Sequence, residues 1–146
     1  MEIICKRFDE LSINELYSIL RARAEVFVCE QQIVYQDLDE IDFASTPLFV
    51  LIDGVVCSYL RIIDAGVKYP ELSIGRVLTL KPYRNKGYAL MLMKMAIEMA
   101  DKLSVPIKIE AQSYLLNFYE SLGFRKISDE FVLEGISHIE MIYERH

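Results

Sequence analysis

The sequence predicts a mixed α/β fold, and three patterns support this prediction. Two β-rich runs, residues 48–52 and 55–63, flank an Asp-Gly pair, which favours a two-residue hairpin because both turn positions adopt positive φ. A third β-rich run at residues 72–80 completes an antiparallel meander. Apolar residues at helical spacing follow over residues 87–103. Strands that precede and follow helices favour a mixed sheet over a helical bundle.

The flanking segments supply the other predicted elements. Residues 2–8 are predicted to form a first strand. Ser12 and Glu15 have the spacing of a capping box, so we expect a helix to begin there and its apolar face to continue to residue 28. The later helix has one narrow polar stripe, which indicates that most of its surface is buried. The remaining predictions are a strand at residues 107–110, a helix at 113–122 followed by Gly123 at the C′ position, and β segments at 124–127 and 131–143.

The composition limits the classes of protein that this chain can represent. Its 146 residues fit a single domain, 1–146, and 53% of them are apolar, which is enough for a core without disulfides or metals. The net charge of −6 argues against a nucleic-acid partner, which would require a basic surface, and is compatible with a cationic acceptor. No signal-peptide pattern or membrane-spanning run is visible, so we expect a cytoplasmic protein with no membrane partner.

Cysteine and histidine are sparse. The three cysteines are Cys5, Cys29 and Cys57, and the two histidines are His138 and His146. These wide spacings fit neither a structural zinc site nor a disulfide framework. We therefore expect reduced, structural thiols and no metal.

Residues 29–46 form a long connection that is rich in Asp, Glu and Gln. Long ordered loops often carry function. A run of acidic residues is equally typical of a solvated loop. The sequence leaves both interpretations open.

The segment from Arg84 to Ala89 joins the third meander strand to the long helix. A helix N-terminus presents unpaired N–H groups and the positive end of the helix dipole, which stabilise an anion such as pyrophosphate. Gly87 lets the backbone approach phosphate oxygens, while Arg84 and Lys86 add positive charge. The pattern is neither a Walker A loop nor a Rossmann fingerprint, and an ordinary strand-to-helix turn is the alternative. We call residues 84–90 the cradle.

The cradle resembles the acyl-CoA-binding motif of the GCN5-related N-acetyltransferase (GNAT) superfamily, Arg/Gln-x-x-Gly-x-Gly/Ala. Downstream, Gln112 and the segment 117–124, Asn-Phe-Tyr-Glu-Ser-Leu-Gly-Phe, resemble the second CoA element of that superfamily. The resemblance covers essentially the whole chain. It implies the GNAT acyl-CoA N-acyltransferase fold, an α/β (α+β) architecture with a mixed, mostly antiparallel sheet and helices on both faces. Similarity to the ElaA-like branch lies at residues 27–32, 35–39, 74–77 and 135–139.

The resemblance also implies how acetyl-CoA binds as co-substrate. The third meander strand is expected to splay from its parallel neighbour, so that the pantetheine arm adds to it like a short strand. Val77, Leu78 and Thr79 would offer backbone groups to the pantetheine and the acyl carbonyl, and an N–H there would stabilise an oxyanion. Gln112 stands where the family often has an asparagine that contacts the CoA arm. The residues expected to hold the pyrophosphate, chiefly by backbone N–H groups, are Arg84, Asn85, Lys86, Gly87, Tyr88, Ala89 and Leu90.

The implied reaction is direct attack of a neutral amine on the thioester, without a cysteine nucleophile. By resemblance, Tyr119 corresponds to the family's tyrosine near the cofactor sulfur and is expected to protonate the leaving thiolate. A packed helix tyrosine is the alternative. Glu110 ends the strand that should open beside the acyl group and is the expected general base, with His138 as an alternative.

The acceptor side is less well defined. Glu30, Asp37 and Asp39 are candidates to line the acceptor pocket and attract a cation. Relatives tend to have a histidine after the acidic connection, where this chain has Thr46-Pro47-Leu48. If that histidine contributes to the acceptor site, this chain selects its acceptor differently.

The predicted function is therefore transfer of an acetyl group from acetyl-CoA to a primary amine of a small molecule or peptide. A non-catalytic CoA-binding regulatory module is the alternative, and a binding protein for another nucleotide is a weaker one. The sequence fixes neither the acceptor nor the range of acyl groups, and whether the chain forms a homodimer stays open.

Overall fold

The computed structural model describes residues 1–145, so that His146 lies outside the described residues. Strands and helices alternate along the chain as the sequence predicts. The strands are β1 (Glu2–Cys5), β2 (Ser45–Ile52), β3 (Val55–Ile63), β4 (Ser73–Thr79), β5 (Ile107–Gln112), β6 (Arg125–Lys126), β7 (Phe131–Leu133) and β8 (Ile136–Tyr143). The α-helices are α1 (Ile13–Arg23), α2 (Tyr88–Leu103) and α3 (Leu116–Ser121).

The first sheet is an antiparallel meander in the order β1-β2-β3-β4. Its central hairpin turns at Asp53 and Gly54, whose φ angles are 50° and 77°. Both turn residues are thus in the left-handed region that a tight two-residue hairpin requires. The predicted hairpin is confirmed.

The second sheet has the order β5-β8-β6, with β7 also paired to β8. The two sheets meet where β4 and β5 begin, through a parallel bridge between Leu72 and Ile107. There the Lys108 N–H donates to the Leu72 carbonyl at 2.9 Å. Among residues 1–145 the two strands make no further ladder pairs, so they diverge and leave a cleft.

Helices cover both faces of the first sheet because its strands alternate apolar side chains between the faces. On one face, α1 contributes Ile19 to a cluster with Phe49 and Tyr59. On the other, α2 contributes Leu92 to a cluster with Leu48 and with residues of the second sheet. The apolar face of α2 is buried at Leu92, Met93, Ala96, Ile97 and Ala100, whereas Leu90, Met99 and Leu103 are exposed.

Two predicted boundaries near the N-terminus were wrong. The first strand ends at Cys5 rather than residue 8, because Arg7 turns aside to form an ion pair with Asp64 at 2.8 Å and a 3₁₀ turn follows it. The helical face predicted to continue to residue 28 changes geometry at Ala24–Glu30, which is a π-helix. Its bonds span five residues, as where the Gln31 N–H donates to the Val26 carbonyl at 3.2 Å.

The C-terminal third also differs in detail. The helix predicted at residues 113–122 divides into a 3₁₀ turn, Ser113–Leu115, and α3. Gly123 follows with φ of 99°, as expected of a left-handed residue after a helix. The predicted β segment at 131–143 is a hairpin, because Glu134 and Gly135 both have positive φ. No helix within the described residues combines the length and apolarity that a membrane crossing needs.

Candidate functional site

The cleft between β4 and β5 is a cavity of about 570 Å³. One wall is the backbone of β4 and the other is β5 with α3 behind it. The π-helix and the segment after it, through Ile33 and Tyr35, cover one end. The β7–β8 turn at Glu134 and strand β8 at His138 cover another end of the cavity. A cavity of this size and mixed lining is suited to a small-molecule ligand.

A β-bulge shapes the β4 wall. The register against β3 shifts so that Arg76 and Val77 together face one residue, Leu60. Arg76 has φ of 53°, which an L residue with a side chain rarely adopts. The bulge interrupts the ladder at Val77, where the strand borders the cavity. Such interruptions free backbone groups to meet a ligand.

The cradle has the geometry of an anion site. Gly87 precedes α2 with φ of 80°, and no side chain caps the helix there. The first intrahelical bond runs from the Met91 N–H to the Gly87 carbonyl at 3.0 Å, so the N–H groups of residues 88–90 lack an intrahelical acceptor. The first turn carries no acidic residue that would repel an anion. A Cβ on Gly87 would meet nothing within 4 Å, so the space in front of this backbone is open.

Arg84 makes contacts that the sequence did not indicate. Its guanidinium donates to both carboxylate oxygens of Glu30 at 2.6 Å, and its Nε donates to the Thr79 carbonyl at 2.9 Å. The hydrogen bond from Arg84 lowers the pKa of Glu30, and the same pair raises the pKa of Arg84. The positive charge that Arg84 was expected to add at the cavity mouth is therefore paired with Glu30. The other basic residue of the cradle, Lys86, has its Nζ over the ring of Tyr83, 5.8 Å from the ring centroid.

Tyr119 lies on α3 and lines the cavity with 5% of its surface exposed. Its ring packs edge-on against Phe118 at 5.2 Å and Phe124 at 5.8 Å. Burial raises the pKa of Tyr119 above its ordinary value. The phenol is therefore protonated at neutral pH and is suited to donate a proton rather than to accept one.

Glu110 lies on β5 and also lines the cavity. Its Oε1 accepts a hydrogen bond from the Tyr69 hydroxyl at 2.5 Å, and its Oε2 lies 3.3 Å from Lys68 Nζ. Burial and the contact with Glu110 raise the pKa of Tyr69. Both carboxylate oxygens are thus engaged, and an amine that used Glu110 as a base would have to share the carboxylate with Tyr69 and Lys68 or displace one of them.

His138 faces Gln112 across the β5–β8 ladder, and both line the cavity. The imidazole Nδ1 lies 2.8 Å from the Ile136 carbonyl. Because a carbonyl only accepts, Nδ1 carries the hydrogen, which leaves Nε2 of the neutral ring as an acceptor. Nε2 of His138 can therefore accept a hydrogen bond from a ligand in this cavity.

The acidic connection is not a solvated loop. Asp37, Asp39 and Asp42 are paired with three arginines from other elements. Arg23 and Arg61 are 0% and 1% exposed, and each reaches Asp42, at 2.7 and 3.1 Å. Although burial opposes it, hydrogen bonding to Arg61 lowers the pKa of Asp39 to about 2. The proposed attraction of an acceptor by Asp37 and Asp39 finds no support, because arginine neutralises both.

The predicted site residues fall into two groups. The cavity brings together the predicted residues of β4, β5 and α3 with one residue of the cradle, Arg84; the others are Val77, Leu78, Thr79, Glu110, Gln112 and Tyr119. Gly87 and Leu90 border a second depression of about 330 Å³ along α2, and neither cavity is lined by Asn85, Lys86, Tyr88 or Ala89.

Sequence reasoning missed the arginine partners and the Lys68-Tyr69 pair at Glu110. Arg23 lies at helical spacing among apolar residues, and Arg61 lies inside an apolar strand. A charged residue on a buried face requires a partner, and the acidic connection was the obvious source. The three cysteines are free thiols, of which Cys57 is buried. Residues 1–145 contain no group of three or more His, Cys, Asp or Glu that could hold a metal ion.

Comparison with known proteins identifies the family. The sequence matches the family model of the Acetyltransferase (GNAT) domain over residues 16–145. The chain belongs to the GNAT acetyltransferase family. Acyl transfer with an acyl-CoA co-substrate is the chemistry that this family implies.

Individual relatives are similar to this GNAT protein along almost its full length. A UPF0039 protein of Synechocystis is 36% identical over 141 residues, covering 94% of this chain and 92% of the relative. The crystal structure of an acyl-CoA N-acyltransferase from Pseudomonas aeruginosa superposes with a TM-score of 0.92 at 32% identity, covering 97% and 98% of the two chains. The crystal structure of Escherichia coli ElaA superposes with a TM-score of 0.91 at 30% identity, covering 98% of this chain and 99% of ElaA. The expected GNAT fold and ElaA-like branch are confirmed.

Proposed function

We propose that this protein transfers an acetyl group from acetyl-CoA to a primary amine of a small molecule or peptide by direct attack. The observation that carries the proposal is the cavity between the diverging strands β4 and β5, which is bordered by a backbone bulge and lined by the buried Tyr119. The similar Pseudomonas aeruginosa protein is described as an acyl-CoA N-acyltransferase, which supports a CoA thioester as donor here.

In this proposal the pyrophosphate lies against the unpaired N–H groups at the start of α2, held by residues 84–90. The pantetheine runs along β4. The carbonyls of Leu78 and Thr79 already accept from Ser58 Oγ and Arg84 Nε, each at 2.9 Å. The acyl oxygen and the developing oxyanion need hydrogen-bond donors, and we assign these to the backbone N–H groups around the interrupted ladder at Val77. Gln112 faces the arm from β5.

Proton transfer is assigned to two separate groups. Tyr119 donates to the departing thiolate from its place on α3, where it lines the cavity. Glu110 removes a proton from the amine nitrogen, on a carboxylate that also contacts Tyr69 and Lys68. His138 is the second candidate base, because its Nδ1 contact leaves Nε2 free to accept.

The function is tested by measuring free CoA thiol released from acetyl-CoA over a panel of small-molecule and peptide amines. Turnover on at least one amine is expected, with acetylated product found by mass spectrometry. Tight acetyl-CoA binding with no thiol release on any amine would support the non-catalytic CoA-binding module instead. Propionyl- and butyryl-CoA in the same assay define the range of acyl groups.

The role of Tyr119 is tested by Tyr119→Phe. We expect kcat to fall by about 100-fold, the range typical of a lost general acid, while the Kd for acetyl-CoA stays the same. The matched control is Tyr143→Phe, which removes a phenol that donates to Asp101 at 3.0 Å and does not line the cavity. Equal kcat values for wild type and Tyr119→Phe, when chemistry limits the rate, would remove Tyr119 from the mechanism.

A further inference from the structure

Arg76 has an unusual position in its strand. It lies in the β4 bulge with φ of 53°, and it is neither glycine nor one of the short polar residues that tolerate this region. Backbone in such a conformation persists only where the surrounding structure holds it, and it concentrates at functional sites. The contacts of the Arg76 side chain therefore call for a functional explanation.

The Arg76 guanidinium is held on three sides. Its Nε donates to Asp37 Oδ1 at 2.8 Å, and a terminal nitrogen donates to the Asp37 carbonyl at 2.9 Å. The same terminal nitrogen lies 3.3 Å from Asp39 Oδ2. The guanidinium also stacks over the ring of Tyr35 at 5.6 Å. One arginine side chain thus joins the bulge to the segment comprising residues 31–39.

The partners of Arg76 are themselves fixed to the core. Arg23, fully buried on α1, donates to Asp37 Oδ2 at 2.9 Å and to the Asp37 carbonyl at 3.1 Å. The Tyr35 hydroxyl donates to Asp37 Oδ1 at 2.9 Å. Arg61, buried on β3, donates to both oxygens of Asp39 at 2.8 and 2.6 Å. Segment 31–39 is therefore a wall that is anchored to the core at Asp37 and Asp39, and Arg76 connects that wall to β4.

This connection spans the cavity. Ile33 and Tyr35, from the segment, and Val77, next to Arg76 in the bulge, all line it. The acyl group is assigned to the bulge, and the segment covers one end of the cavity, to which we assign the acceptor. A change in the distance between these two walls would change the alignment of amine and thioester, to which reaction rates are highly sensitive.

We propose that Arg76 is a positioning residue, which sets the geometry between the acyl-binding bulge of β4 and segment 31–39 as the acceptor wall. The inference rests on the proposed function. It adds to that function the element that aligns the two substrates. Arg76 touches neither reacting atom in this proposal, and it acts through Asp37 and through the backbone of its own bulge.

The test compares Arg76→Gly with Arg76→Ala, because both remove the guanidinium and only glycine adopts positive φ without strain. For Arg76→Gly we expect kcat to fall by about 10- to 100-fold, as for a misplacement of about 1 Å, and KM for the amine to rise. The Kd for acetyl-CoA, measured by calorimetry, is expected to change less than about threefold, since the cradle keeps its contacts. Arg76→Ala should share the kinetic loss and melt at a lower temperature than Arg76→Gly.

Two further variants separate positioning from general stability. Arg76→Lys keeps the charge and loses the forked contact, so we expect a kcat between those of Arg76→Gly and wild type. Arg125→Gly, on an exposed residue of β6 that does not line the cavity, is expected to leave kcat and KM unchanged. Wild-type kcat and amine KM in Arg76→Gly would overturn the inference, as would a kcat loss that only follows a fall in melting temperature.

Hydrogen exchange makes the inference testable independently of turnover. In Arg76→Gly the amides of residues 31–39 and of the β4 bulge are expected to exchange faster together, while those of α2 are unchanged. Unchanged exchange in residues 31–39 would overturn the connection itself. If the wild type turns over no amine, the proposed function fails and the kinetic role of Arg76 fails with it, whereas the exchange result still decides whether Arg76 holds the wall.

Discussion

The cradle and segment 31–42 are built by different physical means. The cradle is local and made of backbone: one glycine with φ of 80° ends a turn, and the first turn of α2 presents its N–H groups. Segment 31–42 is non-local and made of charged side chains. There Arg23 and Asp37 are separated by 14 residues and Arg61 and Asp39 by 22. A site made of backbone can be predicted from a short sequence motif. A wall of paired charges can be recognised only in the folded structure, which brings its partners together.

We expect the largest loss of stability at Asp42, the buried carboxylate of segment 31–42. Asp42→Ala leaves the buried guanidiniums of Arg23 and Arg61 without a shared carboxylate. We expect the free energy of unfolding to fall by about 3–5 kcal/mol, as for removal of one partner of a buried ion pair. Urea denaturation measures the change.

The control for Asp42→Ala is Asp64→Ala, which breaks the Arg7–Asp64 pair. Its two side chains are 43% and 45% exposed, so solvent screens their attraction. The expected loss is no more than about 1 kcal/mol. Similar losses in the two variants would mean that burial does not set the cost of breaking the charge pairs, and the contrast between the cradle and segment 31–42 would fail there.

The next largest effect is on CoA affinity and tests the cradle. Gly87→Asp introduces a side chain at φ of 80° and a negative charge at the helix N-terminus. We expect the affinity for CoA to fall on the order of 100-fold through charge repulsion and local strain. Binding calorimetry measures it, and unaltered affinity would remove the cradle from the CoA site.

Gly54→Asp is the matched control for this change. Gly54 has φ of 77°, and a Cβ added there would meet nothing within 4 Å, as at Gly87. The backbone cost is therefore comparable, and the residue lies in the β2–β3 hairpin rather than in the cradle. CoA affinity should be unchanged in Gly54→Asp while both variants lose stability. Loss of CoA affinity in both would point to a general effect of the strained backbone.

The same contrast explains how much could be predicted from the sequence. The Asp53-Gly54 hairpin, α2 and the cradle were predicted because turn chemistry and helical spacing act over a few residues. The diverging strands followed from the resemblance to the GNAT superfamily. Local patterns contained no indication of the β4 bulge, since the positive φ falls on Arg76 rather than on the neighbouring glycine. Its cause is a set of contacts with residues almost 40 positions away.

The contacts that the predicted site residues make also depend on residues distant in the sequence. Glu110 was predicted as a free base, but Tyr69 and Lys68 engage both its oxygens from the β3–β4 connection. Arg84 was predicted to add a free positive charge, but the π-helix brings Glu30 within 2.6 Å of it. In each case the sequence identified a residue that lines the cavity, and tertiary contacts decided its partners.

The smallest effect that we predict arises from Asp39 and appears only in acid. Its folded-state pKa of about 2 lies below the ordinary 3.8, because Arg61 and Arg76 favour the carboxylate. The stabilisation is therefore fully present above about pH 4 and is lost as the pH falls toward 2, and it amounts to about 2 kcal/mol. Urea unfolding at several pH values measures this loss. In Asp39→Asn the contribution from this group is absent at every pH, so the stability of the variant should fall less between pH 4 and 2 than that of the wild type. Parallel acid profiles would show that other carboxylates, and not the charge-paired wall at Asp39, set the acid sensitivity of the fold.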